Sequence, residues 1–373
     1  MATIGIIDAD LVAGKQKRFP NLAAMKLSGY HKSKGDTVSL LPSFQYTSGC
    51  ETVYVCCVFT ESAAVPRNLP PNAVYGGTGF FFDESPPLPK EVEHAKPDYA
   101  LYQKWLKTRA EEENTDYYTN ASLGFLTRGC FRRCKFCVNR NSTASVAASP
   151  LSEFYDPSKD RICLLDDNVL ACTAGYRLIA DLVKTCEAEK KRFEFKQGID
   201  MRLMQAKTAE LFASSAHHGE VIFAFDSLGD ADALRRGLTF FRESCPSKGA
   251  KAYVLCGFEG QDWHDIANAF RRIEILWSFG CLAYVMRHEN YLKADVACKG
   301  IYTGLAAWAN QPQMQRATSL RQFFNLSPAD KYRRSLFTFE RRYPEIAKRF
   351  FDLKYHDVTA HDKSPTPKRS RCS

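Results

Sequence analysis

The sequence predicts an α/β protein, and three observations indicate this class. Short apolar runs of strand length begin at residue 4 and recur along most of the chain. After about residue 123, strand-like and helix-like segments follow one another in regular alternation. Hydrophobic residues make up 45% and charged residues 25% of the 373-residue chain, which is the composition of an ordinary globular protein. A chain of this length has room for about two or three domains.

The first hundred residues predict a Rossmann-like unit, spanning residues 1–98. A helix begins behind Pro20 and ends near Gly35, and Gly76-Gly77-Thr78-Gly79 follows the last strand of this region. Strand, helix, strand and glycine-rich turn at this spacing are typical of such a unit. The strands are expected at residues 4–7, 38–41, 52–59 and 73–75. Residues 99–118 are expected to form a linker helix.

Residues 119–310 predict a partial, TIM-like barrel of six β/α repeats, with its site at the carboxyl ends of the strands. The strands are expected at residues 124–126, 162–165, 193–196, 221–225, 252–255 and 281–286. Helical patterns lie at residues 175–189, 208–214, 230–243 and 262–279. A helical extension over residues 311–355 includes a helix start with a Ser327 cap and Pro328 at its first position. A basic, disordered tail is expected over residues 356–373.

Directly after the first barrel strand, Cys130, Cys134 and Cys137 have the spacing Cys-x3-Cys-x2-Cys. Clustered thiolates indicate a metal. Structural zinc prefers four closed ligands, whereas three thiolates suit an iron–sulfur cluster with one iron left open. The alternatives are three unrelated thiols in a loop, or a zinc site completed by Cys163 or Cys172. The nearby cations would favour thiolates: Arg128, Arg132, Arg133 and Lys135.

This spacing, with Phe136 just before the third cysteine, resembles the signature of the radical S-adenosylmethionine (SAM) superfamily. The resemblance implies that Cys130, Cys134 and Cys137 ligate a [4Fe–4S] cluster and that SAM binds the fourth iron through its amino and carboxylate groups. It implies that Phe136 lies near the adenine. It also implies reductive cleavage of SAM to a 5′-deoxyadenosyl radical, which abstracts hydrogen from a substrate that the sequence does not identify.

The same resemblance assigns cofactor-binding positions to the ends of four later strands. The family's Gly-Gly-Glu triplet is absent from the second strand, where an acidic pair stands instead. An acid at a strand end is also a common helix cap, and an arginine there is also a common structural ion pair. The expected SAM-binding residues are Asp166, Asp167, Asn168, Asp200, Arg202, Asp226, Ser227 and Gly257.

The N-terminal unit resembles the cobalamin-binding-type domain that precedes the barrel in one branch of this superfamily. Segments that carry the likeness include residues 5–8, 19–22, 76–79 and 97–102. The resemblance therefore raises cobalamin as a further cofactor. The Asp-x-His-x-x-Gly loop that supplies a cobalt ligand is absent, since no histidine precedes His31, so a unit that only shapes the substrate cleft is the alternative. A second cluster on Cys50, Cys56 and Cys57 is disfavoured, because adjacent strand residues face opposite ways.

Composition and the remaining motifs limit the compartments and partners that the sequence predicts. Fourteen cysteines, many inside apolar stretches, indicate a reducing, cytoplasmic setting, and no apolar run approaches the length of a membrane span. The resemblance implies an electron donor such as flavodoxin or ferredoxin. A net charge of +9 permits a nucleic-acid partner. The basic, aromatic segment near residues 333–351 is then either a nucleic-acid face or an amphipathic helix packed on the barrel.

Several functions remain open from the sequence. Within the radical SAM class, the alternative is a methyl- or methylthiotransferase acting on nucleic acid or peptide. From other classes, the alternatives are a non-catalytic, metal-stabilised nucleic-acid-binding protein and a catalytically inactive relative that serves as a partner protein.

Overall fold

A computed structural model describes residues 1–14, 19–63, 71–109 and 115–361 of the chain. The protein is a mixed α/β molecule whose larger sheets are parallel. It folds as two compact units, Met1–Lys196 and Gln197–Ser373. Within the described residues, none of the helices combines the length and the apolar character that crossing a membrane requires.

The first unit contains a four-stranded sheet, a three-stranded sheet and a two-stranded ribbon. Their strands are β1 Thr3–Asp8, β2 Thr37–Leu40, β3 Thr52–Cys56, β4 Ala73–Gly76, β5 Ala121–Gly124, β6 Thr127–Arg128, β7 Val146–Ala147, β8 Arg161–Leu164 and β9 Arg192–Phe195. The helices of this unit are α1 Ala9–Val12, α2 Leu22–Ser33, α3 Thr78–Phe81, α4 Lys90–Glu93, α5 Gln103–Lys107, α6 Asp116–Thr119 and α7 Gly175–Ala188.

The N-terminal sheet has the strand order β2-β1-β3-β4, with every pair parallel. Its two faces bury separate hydrophobic clusters, because alternate residues of β1 and β3 point to opposite sides. One cluster contains Ile4, Ile6 and Cys56, and the other contains Ile7 and Cys57. The helix α2 starts at an Asn21 cap and packs on the first of these clusters.

The second sheet of this unit has the order β5-β8-β9, again parallel. The strands β5 and β8 are buried along their whole length, as expected of a parallel sheet covered on both faces. The antiparallel ribbon β6–β7 lies just beyond β5, with Thr127 opposite Ala147 and Arg128 opposite Val146. The residues between its two strands, 129–145, contain the cysteine triad.

The second unit is built on a parallel sheet of order β10-β11-β12, formed by β10 Val221–Ala224, β11 Ala250–Cys256 and β12 Leu282–Arg287. Ile199 adds a parallel bridge to Phe223. The helices of this unit are α8 Ala206–Ser214, α9 Ala231–Ser244, α10 Trp263–Ser278, α11 Val296–Ala309, α12 Pro312–Ala317, α13 Leu320–Leu326, α14 Asp330–Arg342, α15 Pro344–Phe350 and α16 Tyr355–His361.

The α/β class is confirmed, and the predicted strands fall within a few residues of the observed ones. The helix start expected at Ser327 lies two residues further along: Ala329 is the N-cap residue of α14, and Ser327 is the C-cap residue of α13. The region expected to be one linker helix contains α5 and α6, separated by a segment that lies partly outside the described residues. The segment expected to be disordered begins with α16, where Tyr355 packs edge-on against Trp277; its remainder, 362–373, lies outside the described residues.

Candidate functional site: the cysteine loop

The cysteine triad lies in a loop at the carboxyl end of a parallel strand. The strand β5 ends at Gly124, and the ribbon β6–β7 then closes the base of the segment 129–145. Cys130, Cys134 and Cys137 are each partly exposed and free of disulfides. A short turn links the second and third cysteines, since the Cys137 N–H donates to the Cys134 carbonyl at 2.9 Å. The loop therefore presents its thiols near the surface of the unit, at the strand end where α/β proteins place their sites.

N–H groups donate to sulfur atoms of this loop. The backbone N–H of Arg132 lies 3.5 Å from Cys130 Sγ, and that of Asn139 lies 3.4 Å from Cys137 Sγ. The side-chain amide of Asn168 also donates to Cys130 Sγ, at 3.4 Å. N–H groups that point at a sulfur suit one that carries negative charge, as a metal-bound sulfur does. The donors thus suit ligand sulfurs.

The prediction that this loop binds metal rests on the chemical types of its side chains. Among the described residues, no three His, Cys, Asp or Glu side chains stand in an arrangement that would hold a metal ion, the triad included. Three thiols on one loop, with N–H groups aimed at two of their sulfurs, nevertheless match the ligands of an iron–sulfur cluster.

Asp166 fixes the base of the loop. Its carboxylate accepts the backbone N–H of Leu126 at 3.1 Å and, at 2.7 Å each, the backbone N–H and the hydroxyl of Thr127. The residue is 1% exposed, and burial raises the pKa of its carboxyl to about 6 despite these hydrogen bonds. All of these contacts join β8 to the chain that follows β5, so Asp166 holds the loop in place.

Asp167 ties the two ends of the cysteine segment together. One carboxylate oxygen accepts the Gly129 N–H and the other accepts the Asn139 side-chain amide, both at 2.7 Å. Gly129 directly precedes Cys130, and Asn139 lies two residues after Cys137. Asp167 therefore connects the residue before the triad to a residue after it. In the structure, both acids predicted to bind SAM act as braces of the loop.

Gly129 is required where the loop begins. Its φ of +87° lies in the left-handed region that favours glycine. A Cβ atom there would stand 2.4 Å from the Ala144 carbonyl oxygen and 2.7 Å from Ser142 Oγ. Ser142 Oγ also accepts the Cys130 N–H at 3.1 Å. The start and the end of the loop are thus packed together with no room for a side chain.

Two further carboxylates hold the loop from the N-terminal part of the same unit. Glu93 accepts from Arg128 and from the buried Lys26, both at 2.9 Å. Asp83 accepts from Arg140 at 2.5 Å and from the Asn141 amide at 2.8 Å. The segment after the N-terminal sheet therefore contacts the cysteine loop on both sides of the triad. Sequence reasoning missed these contacts, because an Asp or Glu residue carries no signal of a partner that is distant in the sequence.

The predicted residues of the second unit are engaged within that unit. Arg202 pairs with Asp200 at 2.6 Å and with Asp230 at 2.7 Å, which is the ion-pair alternative for this arginine. Its role toward SAM stays a prediction. Gly257 has φ +73° and donates its N–H to Asp265 at 2.7 Å.

The other two predicted residues of this unit lie at the end of β10. Asp226 accepts the Leu255 N–H at 3.0 Å, and Ser227 Oγ accepts the Gly229 N–H at 3.2 Å. Ser227 thereby caps the short 3₁₀ turn that follows the strand.

A buried arginine that sequence reasoning missed joins the strand ends of this unit. The Arg272 side chain is 2% exposed and donates to the carbonyl oxygens of Phe225, Asp226 and Leu255. Burial lowers the pKa of its guanidinium, and the nearby charges of Asp265 and Asp226 partly offset this lowering. The available signal was its place on the apolar face of α10, one residue before the buried Ile273.

Phe136 is partly exposed, as are its neighbours in the loop. Cys50, Cys56 and Cys57 form the second group of cysteines near the N-terminal sheet. Cys56 and Cys57 point into the clusters on opposite faces of the N-terminal sheet, as predicted. Gly77 and Gly79 pack against Cys57, since Cβ atoms there would lie 2.1 Å from its carbonyl oxygen and 2.4 Å from its sulfur. The glycine-rich turn is thus explained by close packing.

At the carboxyl ends of β1 and β3, the Asp10 carboxylate accepts N–H groups of the loop that follows β3. Asp10 accepts the backbone N–H of Val58 at 2.8 Å and that of Phe59 at 3.3 Å. In nucleotide-binding folds, loop N–H groups at this edge of the sheet receive phosphate. Here Asp10 takes those donors.

The basic, aromatic segment packs by one face and leaves the other open. Leu336 and Phe339 of α14 are buried, as expected for an amphipathic helix. Phe337 is 66% exposed and lies on the same side of the helix as Arg334 and Arg341, which are also exposed. The buried side matches the amphipathic-helix alternative, and the nucleic-acid alternative stays a prediction.

Comparison with known proteins adds no identity: no protein-family model matches the chain, and no curated protein matches it.

Proposed function

We propose that this chain is a radical SAM enzyme whose [4Fe–4S] cluster is held by Cys130, Cys134 and Cys137. The observation that carries the proposal is the loop itself: three thiols at the carboxyl end of a parallel strand, with N–H groups donated to the sulfurs of Cys130 and Cys137. Such donors suit sulfurs that carry negative charge in a cluster.

The chain's residues divide into ligands and supports. The three cysteines would supply the thiolates, and one iron would remain open for SAM. When bound, the cluster would supply the electron for reductive cleavage of SAM to methionine and a 5′-deoxyadenosyl radical, the species that would abstract hydrogen from the substrate. Asp166 and Asp167 fix the loop backbone by accepting its N–H groups, and the Asn168 side chain donates to Cys130 Sγ. Phe136 remains our candidate for contact with the adenine.

The architecture supports a finer assignment of the fold within the same proposal. The parallel order β2-β1-β3-β4 suits a Rossmann-like domain. The parallel sheets β5-β8-β9 and β10-β11-β12, with α7 to α10 between and after their strands, suit the β/α repeats of a partial barrel. Cobalamin is not part of the proposal, because the sequence lacks the Asp-x-His-x-x-Gly loop that supplies a cobalt ligand.

The test is anaerobic reconstitution with iron and sulfide, followed by reduction with dithionite in the presence of SAM. We expect wild type to form 5′-deoxyadenosine and Cys134→Ala to lose that activity. Cys186→Ala is the matched control, since Cys186 is buried on α7, and it should keep the activity. Zinc bound in place of iron, or equal product from Cys134→Ala, would overturn the proposal.

A second candidate is a non-catalytic, metal-stabilised protein that binds nucleic acid. The exposed Phe337 between Arg334 and Arg341 favours it, because bases stack on aromatic side chains beside cations. It predicts tight zinc, no product from SAM, and binding to single-stranded RNA that weakens steeply with salt. The same three exposed residues favour a methyl- or methylthiotransferase acting on nucleic acid.

A further inference from the structure

We infer that Asn168 is a positioning residue that sets the reduction potential of the proposed cluster, through the hydrogen bond from its amide to Cys130 Sγ. The inference rests on the proposed function, since it concerns the same loop. Asn168 directly follows the two aspartates that hold the loop, and its Nδ2 atom lies 3.4 Å from the sulfur. The side chain thus connects the second barrel strand of the proposal to the first ligand of the triad.

The orientation of this amide is fixed by its other contacts. Oδ1 of Asn168 accepts the Ala171 N–H at 3.2 Å, capping the short turn that follows. The Asn168 carbonyl accepts the Ser145 hydroxyl at 2.9 Å, near the end of the cysteine loop. Because Oδ1 is already an acceptor, the donor end of the amide must face the sulfur. Asn168 is only 3% exposed, so water competes little for this donor.

An N–H donated to a ligating sulfur acts on the charge of the cluster. Reduction adds one negative charge, and the donor stabilises that charge more than it stabilises the oxidised form. The reduction potential is therefore higher with the donor than without it. The backbone donors from Arg132 and Asn139 persist in any side-chain variant, so a change at Asn168 isolates one donor.

The sequence offers a graded set of variants. Asn168→Asp has nearly the same shape and keeps the acceptor for Ala171, but it loses the donor and adds a negative charge. Asn168→Ala loses the donor without adding charge, and it also loses the acceptor for the Ala171 N–H. Asn141→Ala is the matched control, because the Asn141 amide belongs to the same loop and donates to Asp83. The expected order of reduction potential is wild type and Asn141→Ala highest, then Asn168→Ala, then Asn168→Asp.

The experiment is a spectroelectrochemical titration of the full chain after anaerobic reconstitution, with iron and sulfide content measured in each sample. We expect Asn168→Asp to make reduction at least about tenfold less favourable, which for one electron is a shift of about 59 mV toward negative potential. Asn168→Ala should shift in the same direction by less. Asn141→Ala should match wild type.

The outcomes separate this inference from the proposal on which it rests. Wild type that assembles no cluster overturns both. A cluster whose potential is the same in wild type, Asn168→Ala and Asn168→Asp overturns the inference alone. Should Asn168→Asp take up no iron, Asn168→Ala decides by its potential. Loss of iron in both Asn168 variants, with iron retained in Asn141→Ala, would mean that Asn168 governs metal retention, and the assignment to reduction potential would be overturned.

Discussion

Cysteines follow parallel strands in two regions of the first unit, and their sulfurs differ in the direction of their hydrogen bonds. Cys57, after β3, donates its thiol to the Phe59 carbonyl at 3.3 Å, and burial raises its pKa to about 12. Cys130, after β5, instead accepts N–H groups from Arg132 and Asn168. The Cys57 sulfur is thus a hydrogen-bond donor and the Cys130 sulfur an acceptor, and an acceptor sulfur suits a metal ligand.

The two regions also share a device, because in each a carboxylate holds the backbone that follows a strand. Asp10 accepts two N–H groups beyond β3, and Asp166 and Asp167 accept those beyond β5. Both regions therefore have a carboxylate that fixes the backbone after the strand, and they differ in the hydrogen bonds made by their cysteine sulfurs. Cysteine count and spacing alone do not reveal it, whereas the direction of hydrogen bonding does.

The largest expected effect is on iron content. We expect Cys130→Ala to lose essentially all bound iron after reconstitution, while Cys57→Ala keeps it. The effect on stability should be the reverse. Cys57→Ala should lose about 1–2 kcal/mol of unfolding free energy, and the unfolding free energy of Cys130→Ala should change little. Iron analysis and urea unfolding of both variants check this. Iron lost equally from both would remove the distinction between the regions.

The next effect is on the pH dependence of stability in the N-terminal sheet. Burial raises the pKa of Asp8 to about 6, even though its carboxylate accepts the Tyr102 hydroxyl at 2.7 Å. The folded state then binds more protons than the unfolded state between about pH 4 and 6, so the contribution of Asp8 to stability falls as pH rises through that window.

Relative to wild type, Asp8→Asn should therefore gain up to about 3 kcal/mol of unfolding free energy between pH 4 and pH 7. Urea unfolding of both proteins across this range measures the difference. The same difference at every pH would show that the Asp8 carboxyl titrates alike in the folded and unfolded states.

A smaller effect is expected where a carboxylate braces the cysteine loop. Asp167→Ala frees both Gly129 and Asn139, so the ligand segment loses its fixed ends. Changes to such supporting residues lower metal affinity by about 10–100-fold. Competition with an iron chelator measures this, and an affinity equal to that of wild type would contradict the bracing role of Asp167.

The smallest effect is expected at the outer edge of the same loop. Asp83→Ala removes the contacts to Arg140 and Asn141, and the Arg140 side chain is 44% exposed. Exposed ion pairs contribute about 0–1 kcal/mol. The same chelator competition should therefore give an iron affinity within about fivefold of wild type. A loss of iron affinity as large as that of Asp167→Ala would show that Asp83 supports the loop as strongly as the residues at the strand ends do.

The local elements were readable from the sequence, because strand and helix periodicity depends on neighbouring residues. The predicted strand at residues 162–165 is β8 Arg161–Leu164, for example. Ser327 misled for a local reason: its place before Pro328 resembles a helix start, but it lies at the end of α13.

The roles within the site depended on distant parts of the chain. The sequence showed that Asp166 and Asp167 close a strand, but not that their partners Thr127 and Gly129 lie 39 and 38 residues earlier. Spacing identified the thiols, since their loop is contiguous. The supports of the loop come from other strands and turns, and no pattern along the sequence records those contacts.

The central claim, that the loop holds a cluster with an iron open to SAM, is tested most directly by electron paramagnetic resonance. The reconstituted, dithionite-reduced protein should give the signal of a reduced [4Fe–4S] cluster, and added SAM should change that signal. Cys134→Ala should give no such signal, and Cys57→Ala should give that of wild type. A protein without iron, a signal that persists in Cys134→Ala, or a wild-type signal that SAM leaves unchanged would contradict the account.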